Sequence, residues 1–387
     1  GSGLPLWLPK GATVRRILER YIVDTEIAWG YQHVYTPDIA KLDLYKTSGH
    51  YPYYKDSMYA PIQIDEHEFM LRPMTCPHHF QVYADRPKSY RELPLRIAEL
   101  AKLYRYEGSG ELSGLVRVRS FCLADAHIIC ADKDQAASEI SMALDLIEHV
   151  SSVFGLTLGT DYSYRLSLGD RADDKKYYKN DTAWDEGEAM LREVLKNRGG
   201  AFVEATGEAA FYGPKIDIQM KDARGKENTA FTVQYDFCMP DRFNLTYIDK
   251  DGSEKRPVVV HRSSIGAIER VIAFLIEHYA GAFPTWLAPV QVVVLPVGGG
   301  HHEYGKSVVE SLLQAGLRAE LDASDESLGK RIRKAKMEKV PYLMVVGDKE
   351  IENQTVSLEK RGEGPLGSQS VAEAVARITA EVTEKKS

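Results

Sequence analysis

From Tyr104 to Phe121 the chain reads YRYEGSGELSGLVRVRSF. Two alternating runs flank a Gly/Ser-rich turn, which predicts a hairpin with strands over 102–107 and 115–121. Arg105 and Glu107 then share one face of the first strand, and Arg117 and Arg119 one face of the second. A guanidinium carries a planar fork of N–H donors that matches phosphate oxygens two at a time. A face with three such groups and a carboxylate is too polar for a core, so it is either solvated or a floor for phosphates. A second stretch, HRSSIGAIERVIAFLIEHYAG from His261, predicts a strand passing through Ser and Gly into a helix over 265–281, with Arg270 in its first turns. Such a helix entry offers free N–H groups and a favourable dipole to an anion. The residue pattern alone leaves both readings open, because the 56 acidic residues of the chain could pair with these arginines on wet faces.

The bulk composition bounds what these stretches could serve. The 387 residues are 44% hydrophobic and 27% charged, ample for a core and for two or three domains. A net charge of −7 excludes a globally basic nucleic-acid binder while leaving room for a local basic patch. No apolar run approaches the roughly 20 residues that span a bilayer, so no membrane is expected. The four cysteines, Cys76, Cys122, Cys130 and Cys238, form no CxxC pair. They fit a reducing, cytoplasmic setting.

Periodicity places the elements that must hold the arginines. Apolar spacing near 3.6 predicts helices over 12–29, 133–154 and 183–198. GYQHVYTPDIA reads as a strand ending at Pro37, and 68–73 and 126–130 read as strands. FYGPKIDIQM and TAFTVQYDFCM alternate like antiparallel strands. This half predicts an antiparallel sheet flanked by helices. At the Pro284–Pro289 segment the pattern changes. A β-branched run over 290–296 reads as a strand buried on both faces. A helix (303–315), the strand LRAEL, the helix SLGKRIRKAKME, the strands YLMVVG and TVSLEK and a helix over 369–384 follow. The alternation predicts a separate α/β domain of about 100 residues. We therefore expect domains over 1–286 and 287–387. Lys330, Arg331, Arg333, Lys334, Lys336 and Lys339 lie close together in the second and form either a solvated helix face or a nucleic-acid contact.

Set in order, these stretches resemble the threonyl-tRNA synthetase family of class II aminoacyl-tRNA synthetases over nearly the whole chain. GYQHVYTPDIA is similar to class II motif 1, YRYEGSGELSGLVRVRSF to motif 2 and GAIERVIAF to motif 3. The segments KTSGHYPYYKDSMY, LRPMTCPHHF, YRELPLRIAEL, RVRSFCLADAHIIC, FYGPKIDI and FPTWLAPVQV follow the threonyl family in order. The resemblance implies an α+β class II fold, an antiparallel sheet flanked by helices and followed by an α/β anticodon-binding domain. It implies threonine–tRNA ligase activity: threonine and ATP form threonyl-adenylate, and the threonyl group passes to tRNA(Thr). It also implies a homodimer formed around residues 12–37.

Residue by residue, the resemblance implies that Arg105 holds the α-phosphate and the threonine carboxylate, and that Glu107 accepts from the adenine amino group. Arg117 and Arg270 would hold the β- and γ-phosphates, with Mg2+ accompanying ATP. Phe121 and Arg270 would sandwich the adenine, and Lys215 would be a further catalytic cation. His50 would help the terminal tRNA ribose hydroxyl attack the adenylate, a proton transfer suited to an ordinary histidine. Asp125, Tyr212, Gln234 and Met74 would line the amino-acid pocket. Cys76, His127 and His261 lie too far apart in sequence for a metal spacing, and each alone fits a buried thiol or a core imidazole. At the matching positions the family holds one catalytic Zn2+ per chain, with an open position for the threonine amine and hydroxyl. Valine, an isostere without the hydroxyl, would be refused. Arg333 and Glu350 best match family anticodon contacts.

The chain also departs from the family. Leu123 and Ala124 stand where Gln-Asp is usual, Thr229 where glutamine is common, and Tyr106 where motif 2 has asparagine. Ser113 replaces a histidine, and Glu359 replaces a basic residue. The family's N-terminal editing domain has no counterpart here, so the chain reads as a truncated form or a naturally short paralogue. Two alternatives stand beside the ligase reading: a divergent, inhibitor-resistant paralogue, and a synthetase-like RNA-binding protein without aminoacylation.

Overall fold

The computed structural model describes residues 1–173, 175–222 and 225–386. They fall into two compact units. One contains Gly1–Leu6 and Glu19–Phe274, and the other residues 7–18 together with those from Leu275 onward.

The first unit is built on an eight-stranded sheet. Its strands in chain order are β1 (Gln32–His33), β2 (Leu95–Tyr104), β3 (Ser120–Cys130), β4 (Tyr162–Leu168), β5 (Phe202–Thr206), β6 (Lys215–Lys221), β7 (Glu227–Asp236) and β8 (Val258–Ala267). In space they run β1-β2-β3-β8-β7-β6-β4-β5, and only the two outermost pairs are parallel. Helix α1 covers Pro9–Ala28, α2 Cys76–Tyr83, α3 Lys133–Val153, α4 Asp181–Asn197 and α5 Ile268–His278. The α3 helix starts where expected because the Asp132 side chain accepts from the Gln135 N–H and caps it. Its buried stripe of Ile140, Leu144, Ile147 and Val150 packs against β8, as the periodicity predicts.

Several expectations are corrected. The hairpin at 102–121 is not two strands meeting at a short turn. The strand β2 ends at Tyr104 and β3 begins at Ser120, and between them lies a loop with one 3-10 turn at Ser109–Glu111. Gly108, Gly110 and Gly114, the last with φ +47°, interrupt the alternation there. The helix expected from 265 begins at Ile268 instead, because β8 continues through Gly266. That glycine has φ +64°, and a Cβ on it would lie 2.1 Å from the Ala230 carbonyl oxygen. It therefore serves a close backbone approach at a bulge in β8, not a phosphate-binding helix entry. The expected motif 1 strand shrinks to β1. Residues Ile39–Lys41 pair instead with His67–Leu71 in a small sheet completed by Ile62–Ile64. The strands β4 and β5, the first half of β2, and α2 were not anticipated.

The second unit holds β9 (Val292–Pro296), β10 (Ala319–Leu321), β11 (Tyr342–Val346), β12 (Thr355–Lys360) and β13 (Gly364–Ser370). The first three are parallel and the last two antiparallel. With them go α6 (His302–Gln314), α7 (Leu328–Met337), α8 (Asp348–Asn353) and α9 (Val371–Glu384). The β-branched run behaves as a doubly buried strand should. Val292 and Val294 pack on Val308, Leu312 and Ile378, while Val293 and Leu295 pack with Ala335 and Val340. The strand β13 escaped notice because GPLGSQS reads as a turn.

The basic cluster of α7 is not one open surface. Arg331 is buried, and its guanidinium donates to the carbonyls of Pro296, Asp322 and Glu326. Lys336 pairs with Glu359, Lys330 pairs with Glu326, and Lys339 donates to the Ala280 carbonyl. Arg333 stays exposed. Glu350 caps α8 by accepting from the Gly347 N–H at 3.0 Å, and its other oxygen accepts from Ser357 Oγ at 2.8 Å. Among the described residues, no helix is long and apolar enough to cross a membrane.

Replacing Gly266 with alanine should cost about 2 kcal/mol or more of unfolding free energy, since a side chain there meets backbone at positive φ. Urea denaturation tests this, and an unchanged midpoint would contradict it.

Candidate functional site

In a strand every second side chain points to the same face. The register across β6, β7, β8 and β3 aligns Lys215, Gln234, His261 and His127 in one row, and Asp217, Thr232, Ser263 and Asp125 in the next. Apart from the fully buried Asp217, these residues floor a cavity of about 660 Å3. The walls bring in His50, Met74, Cys76 and Tyr212, with Arg105, Glu107, Arg117 and Phe121, and Arg270 from α5. Every catalytic, substrate, ATP or metal candidate named from the sequence thus lines one cavity. Arg119 does not. Its carbonyl still accepts from the Arg105 N–H at 2.9 Å, but its side chain lies over the Tyr106 ring and donates to the Glu107 carbonyl at 2.9 Å.

Three guanidinium groups converge at this cavity, and backbone oxygens aim two of them. Arg270 donates to the Val116 carbonyl at 2.9 Å and to the Thr229 carbonyl at 2.7 Å. Arg105 donates to the Pro73 carbonyl at 3.1 Å and lies 5.2 Å from the centre of the Phe121 ring. Burial, then the charges of Arg105 and Arg117, pull Arg270 below the usual arginine value. Burial does the same to Arg105. Glu107 pairs with Arg117 at 3.5 Å, yet three guanidinium groups around one carboxylate leave room for an anion. Lys215 differs, because its Nζ lies 3.0 Å from the Asp217 carboxylate, which also accepts from Arg165 and Ser167.

The ligand atoms of Cys76, His127 and His261 all lie within 4.8 Å of one another, and all three residues are buried. Sheet register accounts for the two histidines, which face each other across β3 and β8. Cys76 opens α2, whose apolar side packs Phe80 and Tyr83 into the core. Burial pushes the Cys76 thiol well up and the His127 imidazolium well down. One thiolate and two imidazoles make a donor set suited to zinc, and three protein ligands leave a fourth position open. The residues fit the metal. The Tyr212 ring stacks on His261 at 4.7 Å, and its hydroxyl donates to Gln234 Oε1. Burial raises the Asp125 carboxyl. His50 sits beside Ser48 Oγ at 2.7 Å. Burial, with His261, Arg242 and Arg105, holds it well below the ordinary histidine value assumed from sequence.

The residues that support this set went unnoticed in the sequence: Asp217 under Lys215, Asp236 on His261, and His79 with Glu99 behind His127. For the three carboxylates the signal was an acidic residue inside an apolar strand, as in RIAEL, VQYD and KIDI.

Residues 58–279 match the tRNA synthetase class II core domain (G, H, P, S and T), and residues 291–381 match the anticodon binding domain. The crystal structure of the RNA binding domain of threonyl-tRNA synthetase from Cryptosporidium parvum Iowa II superposes with a TM-score of 0.91 at 35% identity, covering 98% of this chain and 93% of that one. The chain belongs to the threonyl-tRNA synthetase family of class II enzymes. Similar curated relatives include a threonine--tRNA ligase of Geobacillus sp. (strain WCH70), 52% identical over 99% of this chain, and threonine--tRNA ligase 1 of Bacillus subtilis (strain 168), 51% identical over 98%. The chain spans 59% of the length of each. The prolyl-tRNA synthetase of Giardia lamblia, at 17% identity and a TM-score of 0.71, shares the fold. Of the departures from the family, Leu123 and Thr229 line the cavity, while Ala124 is buried on the other face of β3. Thr229 Oγ1 accepts from Gln219 at 2.7 Å. Tyr106 is exposed, and Ser113 forms an isolated bridge with Arg117.

Because Cys76 begins as a thiol and His127 as a neutral imidazole, zinc uptake should release about one proton. Apparent affinity should then rise about tenfold per pH unit between roughly pH 7.5 and 8.5. Chelator competition measures it. A slope near zero would contradict a protonated Cys76.

Proposed function

We propose that this chain is the aminoacylating part of a threonine–tRNA ligase. It forms threonyl-adenylate from threonine and ATP and passes the threonyl group to tRNA(Thr). The observation that carries the reading is the convergence of a Cys/His/His donor set and three guanidinium groups in one cavity.

A threonine carboxylate oxygen attacks the α-phosphorus. The new P–O bond forms as the bond to the pyrophosphate oxygen breaks, and negative charge grows on the transferring phosphoryl and leaving groups. Arg105 holds the α-phosphate and the carboxylate, and Arg117 and Arg270 hold the leaving phosphates, which arrive with Mg2+. Fixed cations suit this step because they need no reorganisation as the charge develops. Glu107 accepts from the adenine amino group, and Phe121 and Arg270 flank the ring. Zinc held by Cys76, His127 and His261 would supply a Lewis-acid position for an amine and a hydroxyl together. Asp125, Tyr212, Gln234 and Met74 surround the side chain. In the transfer step the tRNA ribose hydroxyl attacks the carbonyl and AMP leaves. His50, neutral near pH 7, takes the proton.

Residues 287–387 would bind the anticodon. Exposed Arg333 is the stronger candidate contact there, since both Glu350 oxygens are held within the protein. The segment 12–37 would form a homodimer interface, and the exposed apolar side chains of Ile27 and Tyr35 favour this. A cytoplasmic location accords with four buried cysteine thiols.

Amino-acid-dependent ATP–pyrophosphate exchange should be strong with threonine, weaker with serine and almost absent with valine. Zinc-loaded, folded protein with no exchange would overturn the ligase reading in favour of an RNA-binding paralogue. Arg105→Ala and Arg270→Ala should each lower exchange by about 100-fold or more. Near-native rates in either would remove that residue from the mechanism.

A further inference from the structure

His127 is the end of a buried hydrogen-bond chain that the adenylation chemistry does not use. Its Nδ1 lies 2.8 Å from Nδ1 of His79. The other ring nitrogen of His79, Nε2, lies 3.3 Å from Glu99 Oε2. Glu99 also accepts from Arg72 Nη1 at 3.0 Å, from the Thr36 N–H at 3.2 Å and from Thr36 Oγ1 at 2.7 Å. His127, His79, Glu99 and Arg72 are each no more than 2% exposed. Water therefore does not complete these bonds from bulk solvent.

With His79 neutral, a single proton order satisfies every member of the chain. An ionised carboxylate can only accept, so His79 must donate from Nε2. A neutral His79 then has its lone pair at Nδ1. The short contact to His127 is a hydrogen bond only if His127 donates from Nδ1. That leaves the His127 lone pair on Nε2, the nitrogen with no partner in this chain of bonds. His261 obeys the same rule by a shorter route. Its Nε2 donates to Asp236 Oδ2 at 2.6 Å, leaving the lone pair on Nδ1. The two candidate metal ligands are thus fixed in opposite tautomers, one by a carboxylate directly and one by a carboxylate acting through a second imidazole.

We infer that His79 is a positioning residue for the metal centre, relaying the polarity of Glu99 so that His127 presents Nε2 as a lone-pair donor. The inference rests on the zinc reading above. Outer partners of this kind orient the ligand ring, fix its tautomer and raise its basicity. His79 touches neither substrate nor metal in this account. Its effect is on how tightly the centre holds zinc.

Zinc affinity of the whole chain, measured by competition with a chromophoric chelator, tests the relay without reference to activity. His79→Phe keeps an aromatic of similar size and removes the acceptor, and should weaken zinc binding about 10- to 100-fold. His79→Gln offers a carbonyl acceptor and an N–H donor and should restore most of that loss. Cobalt substituted into the Phe variant should show altered visible bands, whereas the Gln variant should keep those of the unmodified protein. A folded Phe variant with unchanged affinity and cobalt spectrum would overturn the inference. Histidine 15N chemical shifts of the unmodified, metal-free protein provide a check that no folding defect can obscure. They should place the His127 proton on Nδ1, and a proton on Nε2 would overturn the relay. If the unmodified chain takes up no zinc at all, the metal reading itself fails and the inference falls with it.

Discussion

The candidate site depends on the pairing register of β3 and β8. With His127 opposite His261, two imidazoles meet across adjacent strands, and the same register carries Gln234 and Lys215 into the row from β7 and β6. Strand side chains alternate with a period of two, so a slip of one residue would turn His127 to the opposite face and point Ala126 at the cavity. The register is held by what lies behind it. Ala126, Ile128 and Val260 are fully buried on the opposite face, and α3 packs its apolar stripe against β8. The core that stabilises the fold and the geometry that brings the donors together are therefore the same interaction seen from two sides of one sheet.

Burial sets the electrostatic character of the cavity. It depresses Arg105, Arg270, His50 and His127 and raises Cys76 and Asp125. Each shift disfavours the charged form, as desolvation does. Arg105 and Arg270 are left desolvated beside other cations, a condition that a polyanionic substrate relieves. The histidines and the thiol are left neutral, a condition that a divalent cation changes by drawing a proton from sulfur. Opposite ligand charges can thus be accommodated in one cavity, because the cationic groups and the uncharged donors are held by different elements: the 105–119 loop and α5 for the former, the central strands and α2 for the latter.

Much of this was legible in the sequence where the local signal is strong. The long helices announced themselves by period, cap and length, and Val292–Pro296 by an unbroken β-branched run. The order of the family segments pointed to all the cavity-lining candidates. Legibility failed where tertiary context overrides local pattern. The 105–119 loop alternates like a strand, yet glycines interrupt it, and the Arg119 side chain lies over Tyr106 and not in the cavity. Gly266 resembles the start of a helix, yet its place follows from a carbonyl on the neighbouring strand. Arg331 belongs to a basic run in sequence, yet its guanidinium satisfies buried carbonyls. The supporting carboxylates Glu99, Asp217 and Asp236 stand out within apolar strands, but an acidic residue in a strand carries no mark of what it faces across the sheet.

The central claim is that one cavity joins a metal-held amino-acid pocket to an arginine-lined nucleotide pocket. The most direct measurement is X-ray diffraction at the zinc absorption edge from crystals grown with zinc and a non-hydrolysable threonyl-adenylate analogue. The account predicts one anomalous peak among Cys76, His127 and His261, with the threonyl end of the analogue beside it and the adenine between Phe121 and Arg270. An anomalous peak elsewhere, or an analogue bound outside this cavity, would contradict it.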